Sequence, residues 1–240
     1  MSRLAQAAVL FLLGAALLHA GVTDLYLRYV KAGLQPLLLA SGVVLIAAAV
    51  ATVWYERRAV RTAGPEDPGH VHREPRVSWL LVLPLLALIL VAPPALGSYS
   101  ATRTGTALQQ PLAYPPLPAA DPLRLSVVDY AGRAVYGHGR TLADRRIQLT
   151  GFLALDRDGT PYLVRMALNC CAADAQPVKI GLTGHIPPVL QPDTWLQITG
   201  TYTPRQVKDP VNNGPIPFIE VTAARPVPVP HDPYDESWNT

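Results

Sequence analysis

The stretches Arg146–Leu155 (RIQLTGFLAL) and Trp195–Thr203 (WLQITGTYT) decide the fold of the C-terminal half of the chain. Polar and apolar residues alternate along the first of them, as expected for a half-buried β-strand. Each stretch carries a glycine in its middle, Gly151 and Gly200, where the missing side chain allows a strand to coil sharply. Together they predict a small, strongly curved sheet.

Three further strands follow from the same kind of pattern, at Tyr162–Cys170, Val178–Leu182 and Phe218–Ala223. A short helix over Leu125–Tyr136 is expected before all five strands. Five strands in one short domain predict a small, partly open all-β barrel of OB type over residues 123–240. A small sandwich is the alternative.

Residues 98–122 separate this domain from the N-terminal part of the chain. The stretch is rich in proline, with Ser, Thr, Gln and Ala between the prolines. Such a composition favours an extended backbone without regular hydrogen bonds. We therefore expect a semi-rigid Pro-rich linker that spaces the β domain from residues 1–97.

Residues 1–97 have the composition of a membrane domain. Blocks of 19, 20 and 19 residues without a formal charge cover Leu4–Val22, Pro36–Tyr55 and Ser78–Leu96. About 20 apolar residues cross a bilayer as an α-helix, so these blocks predict three transmembrane helices in the lipid membrane. The first block could instead be a secretory signal, although it is longer than a typical signal core and Leu18 is too large for an A-x-A cleavage site.

The distribution of Lys and Arg predicts the orientation of these helices. Six basic residues lie at the N-terminus or between the second and third blocks: Arg3, Arg57, Arg58, Arg61, Arg73 and Arg76. Three lie on the other side: Arg28, Lys31 and Arg103. Because the basic side of a membrane protein faces the cytoplasm, we predict a multi-pass cell-membrane protein with a cytoplasmic N-terminus. Three crossings then make the C-terminal domain extracytoplasmic.

The charge balance of the β domain argues against a nucleic-acid partner. Residues 98–240 carry 12 Lys and Arg residues against 12 Asp and Glu residues, so this part of the chain is neutral. OB barrels that bind single strands present a basic groove with aromatic side chains for stacking. A neutral domain outside the cell lacks that footprint, and we expect no nucleic-acid binding.

The run Asn169–Ala175 (NCCAADA) holds the strongest candidates for chemistry. Cys170, Cys171 and Asp174 lie within five positions, and His185 follows eleven residues after Asp174. Two thiolates with a carboxylate or an imidazole suit Zn²⁺ or Cu⁺, so zinc or copper is the expected metal. Neighbouring side chains of a strand point to opposite faces, so both sulfurs reach one ion only where the strand breaks. Structural cysteines and an easily reduced vicinal disulfide are the alternatives.

His19 is a second candidate, because it is the one titratable side chain within the three uncharged blocks. An ionisable group at membrane depth is costly and often functional. His19 is also three residues from the predicted end of its helix, where an imidazole can reach the interface. Both interpretations stay open.

The sequence resembles the YcgQ-type family of permease subunits, which are bacterial membrane proteins encoded beside a multi-span permease and mostly without assigned biochemistry. The resemblance rests on these residues: Tyr29-Val30, Pro36, Pro93-Pro94, the C-C-x-A-D-A run at 170–175, Trp195 with Gly200, and Pro233-Tyr234. It implies a multi-span permease partner and a transport context. It supplies neither a substrate nor a catalytic residue.

The sequence therefore favours an accessory subunit of a membrane permease, with an outward-facing β domain that binds a metal ion or another small solute. A thiol-redox protein that uses the Cys170-Cys171 pair and a structural envelope protein are the alternatives. Hydrolase and nucleotide-binding motifs are absent from the sequence, and the cysteines do not form the C-x-x-C of thioredoxin-like enzymes. We expect no enzymatic activity.

Overall fold

The computed structural model describes residues 3–62, 83, 86, 94–186 and 191–236. The chain divides into two compact units. The first contains Met1–Tyr26 and Ala32–Pro94, and the second contains Leu27–Lys31 and Ala95–Thr240. The short segment Leu27–Lys31 is thus grouped with the C-terminal domain, although it lies between two N-terminal helices in the chain.

The first unit contains two long apolar helices, α1 (Arg3–Val22) and α2 (Gln35–Thr62). Both are long and apolar enough to cross a membrane, and they include two of the predicted blocks. Gly14 lies at a close approach of the two helices, because a Cβ atom there would be 2.8 Å from the carbonyl oxygen of Gly42. The third predicted span, 78–96, lies largely outside the described residues.

Within the described residues, the second unit contains seven strands and two α-helices. The strands are β1 (Leu123–Arg124), β2 (Ile147–Leu155), β3 (Pro161–Leu168), β4 (Gln176–Gly184), β5 (Trp195–Lys208), β6 (Pro215–Pro226) and β7 (Tyr234–Glu236). The helices are α3 (Ser98–Arg103) and α4 (Val127–Val135).

Five of the strands close into a barrel in the order β2-β5-β6-β4-β3, with β3 pairing back onto β2. Strands β4 and β6 run parallel, and the other four pairings are antiparallel. Strands β1 and β7 extend the sheet by parallel pairing with β2 and β3. The prediction of a small five-stranded β-barrel is confirmed, but the barrel is closed by the β2–β3 pairing and not partly open. The sandwich alternative is wrong.

Helix α4 packs its apolar side into the barrel core. Ser126 caps its N-terminus, since the Ser126 hydroxyl accepts a hydrogen bond from the N–H of Asp129 at 2.9 Å. The core cluster that contains the helix also contains side chains from β2 to β6, and its fully buried members include Val127, Tyr130, Ala131, Ala134, Leu163, Ile180, Ile198 and Ile219. The hydroxyl of Tyr130 donates to the carbonyl oxygen of Phe218 at 2.7 Å.

Residues 98–122, predicted as an extended semi-rigid spacer, belong to the same unit as the barrel, and the first six of them form helix α3. Proline has no N–H to donate, but its carbonyl oxygen still accepts hydrogen bonds. Arg133 donates to the carbonyl oxygen of Pro115, and Arg145 donates to that of Pro118, both at 2.7 Å. The extended backbone is therefore bound to the barrel by arginine side chains.

Candidate metal centre

The chain breaks its strand geometry between β3 and β4. Strand β3 ends at Leu168, and a single 3-10 turn over Ala172–Asp174 precedes β4. Cys171 keeps an extended backbone (φ −151°, ψ 167°) immediately before that turn. Because the turn interrupts the alternation of a strand, the two neighbouring thiols are not forced onto opposite faces.

Three potential ligands converge at this turn. The Sγ atoms of Cys170 and Cys171 and a carboxylate oxygen of Asp174 all lie within 4.8 Å of one another. The Cys170 thiol donates to the Oδ2 atom of Asp174 at 2.9 Å. Two sulfurs and one oxygen make three corners of a tetrahedral shell, which leaves the fourth corner for water or a bound solute. We call these three residues the thiol–carboxylate cluster.

Backbone hydrogen bonds fix the carboxylate of Asp174. Its Oδ1 atom accepts from the N–H of Asn169 at 2.9 Å. Its Oδ2 atom accepts from the N–H groups of Cys170 and Cys171, at 3.0 and 3.3 Å. Partial burial acts to raise the pKa of Asp174, but these bonds and the Cys170 thiol outweigh it, so the pKa is lowered. The carboxylate is therefore charged and held in place at neutral pH.

The same arrangement holds the Cys170 thiol in its protonated form. Its hydrogen bond to Asp174, together with one to the Cys171 side chain, raises the pKa of Cys170 to about 11. A thiol with so high a pKa is a weak nucleophile at neutral pH, because the thiolate is the reactive form.

The cluster is accessible from solvent. Cys170 is exposed, whereas Cys171 and Asp174 are partly buried. Next to it, a cavity of about 180 Å³ is lined by Ala107, Gln109, Val128, Ala167, Asn169, Asp174 and Gln176. Three side-chain amides and one carboxylate give this cavity a polar wall.

His185 is not brought to this cluster. It is exposed and follows the last residue of β4, whereas Asp174 lies just before the first residue of the same strand. A strand of nine residues separates its two ends by roughly 25 Å. The strand predicted at Val178–Leu182 already implies that Asp174 and His185 lie far apart.

His19 lies in the last turn of α1, and its side chain is exposed. Its carbonyl oxygen accepts from both the N–H and the hydroxyl of Thr23, at 3.1 and 2.6 Å. These bonds end the helix one turn after His19. Both interpretations of His19 stay predictions.

The segment Tyr29–Lys31 contacts the cluster. The sequence analysis does not predict this contact. Val30 and Cys171 form an antiparallel β-bridge. The N–H of Lys31 donates to the carbonyl oxygen of Cys170 at 3.0 Å, and the N–H of Ala172 donates to that of Tyr29 at 2.7 Å. Val30 and Cys171 are about 140 residues apart in the chain, so no local sequence pattern links them. The only signal is that Tyr29-Val30 and the cysteine run both carry the family resemblance.

Residues 124–235 match the family model of the DUF1980 C-terminal domain. The matched range begins in β1 and ends in β7, so it contains the barrel, α4 and the thiol–carboxylate cluster. The match fits the family that the sequence motifs resemble. No curated protein and no solved structure matches the chain.

Proposed function

We propose that this chain is an accessory subunit of a membrane permease, and that its extracytoplasmic β domain binds Zn²⁺ or Cu⁺ at the thiol–carboxylate cluster. One observation carries the proposal: two thiols and a carboxylate lie within 4.8 Å of one another on an exposed turn. Soft thiolates with one hard carboxylate suit a soft or borderline cation. The open fourth position lets the ion be loaded and released.

The grouping of residues in the second unit supports the proposed membrane topology. The segment Leu27–Lys31 connects α1 to α2 and belongs to the barrel unit. When α1 and α2 both cross the bilayer, this segment and the barrel share one side, and α2 ends on the other. The chain must then cross once more before Ala95, and the uncharged block 78–96 fits that requirement. The excess of Lys and Arg beyond α2 supports a cytoplasmic location for that end.

The surfaces of the membrane helices support a partner in the bilayer. Gly42 and Ala49 of α2 are buried, and Gly42 lies against Leu18 and Gly14 of α1. Ser41, Ala47 and Ala48 are exposed. Small residues permit close helix packing in a membrane, so this second set fits a contact with the permease that the family resemblance implies.

The metal-binding part of the proposal is tested by zinc titration of the full chain in detergent under reducing conditions. Competition with a chromophoric chelator measures the affinity. We expect about one Zn²⁺ per chain, with at least about tenfold weaker binding in Cys170→Ser, Cys171→Ser and Asp174→Asn. His185→Gln is the matched control and should bind like the parent.

Equal metal content in the parent and in both cysteine variants would overturn this assignment. A chain that binds no metal and forms a Cys170–Cys171 disulfide would favour the thiol-redox alternative. The permease partner is tested separately, by copurification of the full chain from native membranes in mild detergent. Recovery without a multi-span membrane protein would argue against the accessory role.

A further inference from the structure

Two backbone hydrogen bonds join the run Cys170–Ala172 to the segment that connects α1 and α2. The two bonds flank Cys171. In the first, the N–H of Lys31 donates to the carbonyl oxygen of Cys170, and in the second, the N–H of Ala172 donates to that of Tyr29. The side chains of Cys170 and Cys171 therefore belong to the cluster, while the backbone around them is hydrogen-bonded to Tyr29–Lys31.

Tyr234 provides a second attachment of the same segment. Its side chain is 5% exposed and belongs to the core cluster that contains Trp195. The Tyr234 hydroxyl donates to the carbonyl oxygen of Arg28 at 3.1 Å and accepts from the N–H of Leu96 at 3.2 Å. One buried hydroxyl thus holds the connection between α1 and α2 and also the chain just before α3.

We propose that metal occupancy of the cluster is coupled to docking of Leu27–Lys31, the segment that connects α1 and α2 in the chain. This inference rests on the proposed metal site. The docked segment aligns Cys170–Ala172 in the arrangement that gathers the three ligand atoms. Docking therefore favours binding, and by thermodynamic linkage binding favours docking to the same degree.

The variant Ala172→Pro separates the coupling from the cluster itself. Proline removes the N–H that donates to Tyr29. Ala172 is the first residue of the 3-10 turn, where proline is well tolerated, and the extended backbone of Cys171 suits a residue that precedes proline. Ala172→Ser keeps the N–H and is the matched control. Tyr234→Phe removes the second attachment without touching a ligand.

The experiment uses the full chain in detergent, with Zn²⁺ alone as the probe. It measures zinc affinity and amide hydrogen exchange in a peptide that contains residues 27–31. In the parent and in Ala172→Ser, we expect zinc to slow this exchange at least about fivefold. In Ala172→Pro and Tyr234→Phe, zinc should bind at least about fivefold more weakly and protect the segment less.

The outcomes distinguish the two proposals. When the parent binds zinc through Cys170 and Cys171 but neither affinity nor exchange differs between Ala172→Pro and Ala172→Ser, the coupling is wrong and the metal site stands. When the parent does not bind zinc, the metal site and the coupling fail together. Circular dichroism of each variant shows whether the barrel is folded, and Tyr234→Phe gives an independent reading if Ala172→Pro is not.

Discussion

Asp174 has two roles at the scale of single residues. Its carboxylate accepts from three backbone N–H groups, which fixes the turn, and from the Cys170 thiol, which suppresses ionisation of that thiol. The same residue therefore shapes the cluster and keeps the Cys170 thiol protonated at neutral pH. An exposed cysteine benefits from this protection, because oxidation and disulfide exchange proceed through the thiolate.

This account predicts the reactivity of Cys170. In a Cys171→Ser background, Asp174 still raises the pKa of the Cys170 thiol, so alkylation should be slow at pH 8 and should accelerate at higher pH. Asp174→Asn removes the charged acceptor, so the pKa should fall and alkylation at pH 8 should become about tenfold faster. The rate of iodoacetamide labelling measures the effect. Asp158→Asn changes an exposed carboxylate elsewhere and should leave the rate unchanged; equal acceleration in both variants would contradict the role of Asp174.

The three cluster residues could be predicted from the sequence because they lie within five positions. The break in the strand could also be expected, since alanines and an aspartate follow the cysteines. The contacts of Tyr29–Lys31 and Tyr234 could not be found in the same way, because they join parts of the chain that are far apart in sequence. Their positions follow from the closed barrel, which no local pattern specifies.

At the scale of elements, all five barrel strands and α4 could be predicted, and the ends of the long strands could not. Strand β5 was predicted to end at Thr203, yet it continues to Lys208, and β6 begins at Pro215. Pro204 suggests an end, but the ladder resumes after a register shift between Tyr202 and Gln206. Strands β1 and β7 have two and three residues, which is too short for alternation to identify.

The buried ion pair between β4 and the turn after β5 gives a test of barrel stability. Lys179 and Asp209 are 5% and 0% exposed, and their Nζ and Oδ2 atoms are 2.7 Å apart. The Asp209 carboxylate also accepts from the N–H of Thr106, at the start of the Pro-rich segment. Lys179→Met leaves this carboxylate buried without its cation, so we expect a loss of about 3 kcal/mol of unfolding free energy.

Thermal unfolding of the purified chain checks this prediction. The control is Arg146→Met, which breaks an exposed pair with Asp121 and should leave the midpoint nearly unchanged. Equal midpoints for both variants would contradict a stabilising role of the buried pair.

At the scale of the whole molecule, the account predicts three crossings with the barrel outside. Single cysteines are placed in a Cys170→Ser, Cys171→Ser background and labelled in intact cells with a membrane-impermeant maleimide. Arg157→Cys in the β2–β3 turn and Gly33→Cys between α1 and α2 should both label, because both positions are exposed on the proposed outer side.

Arg61→Cys, at the end of α2, is the matched control and should label only after the cells are permeabilised. Labelling of Gly33→Cys without Arg157→Cys would place the barrel on the other side and contradict the third crossing. Labelling of Arg61→Cys alone in intact cells would show that the chain has the opposite orientation in the membrane.

X-ray absorption at the zinc edge of the full chain loaded with Zn²⁺ shows directly whether both cysteines hold the ion. We expect two sulfur neighbours at about 2.3 Å with lighter oxygen or nitrogen neighbours at about 2.0 Å. Cys170→Ser and Cys171→Ser should each lose one sulfur or lose the metal. A zinc spectrum without sulfur neighbours, or one that is identical in the parent and in both variants, would contradict the account.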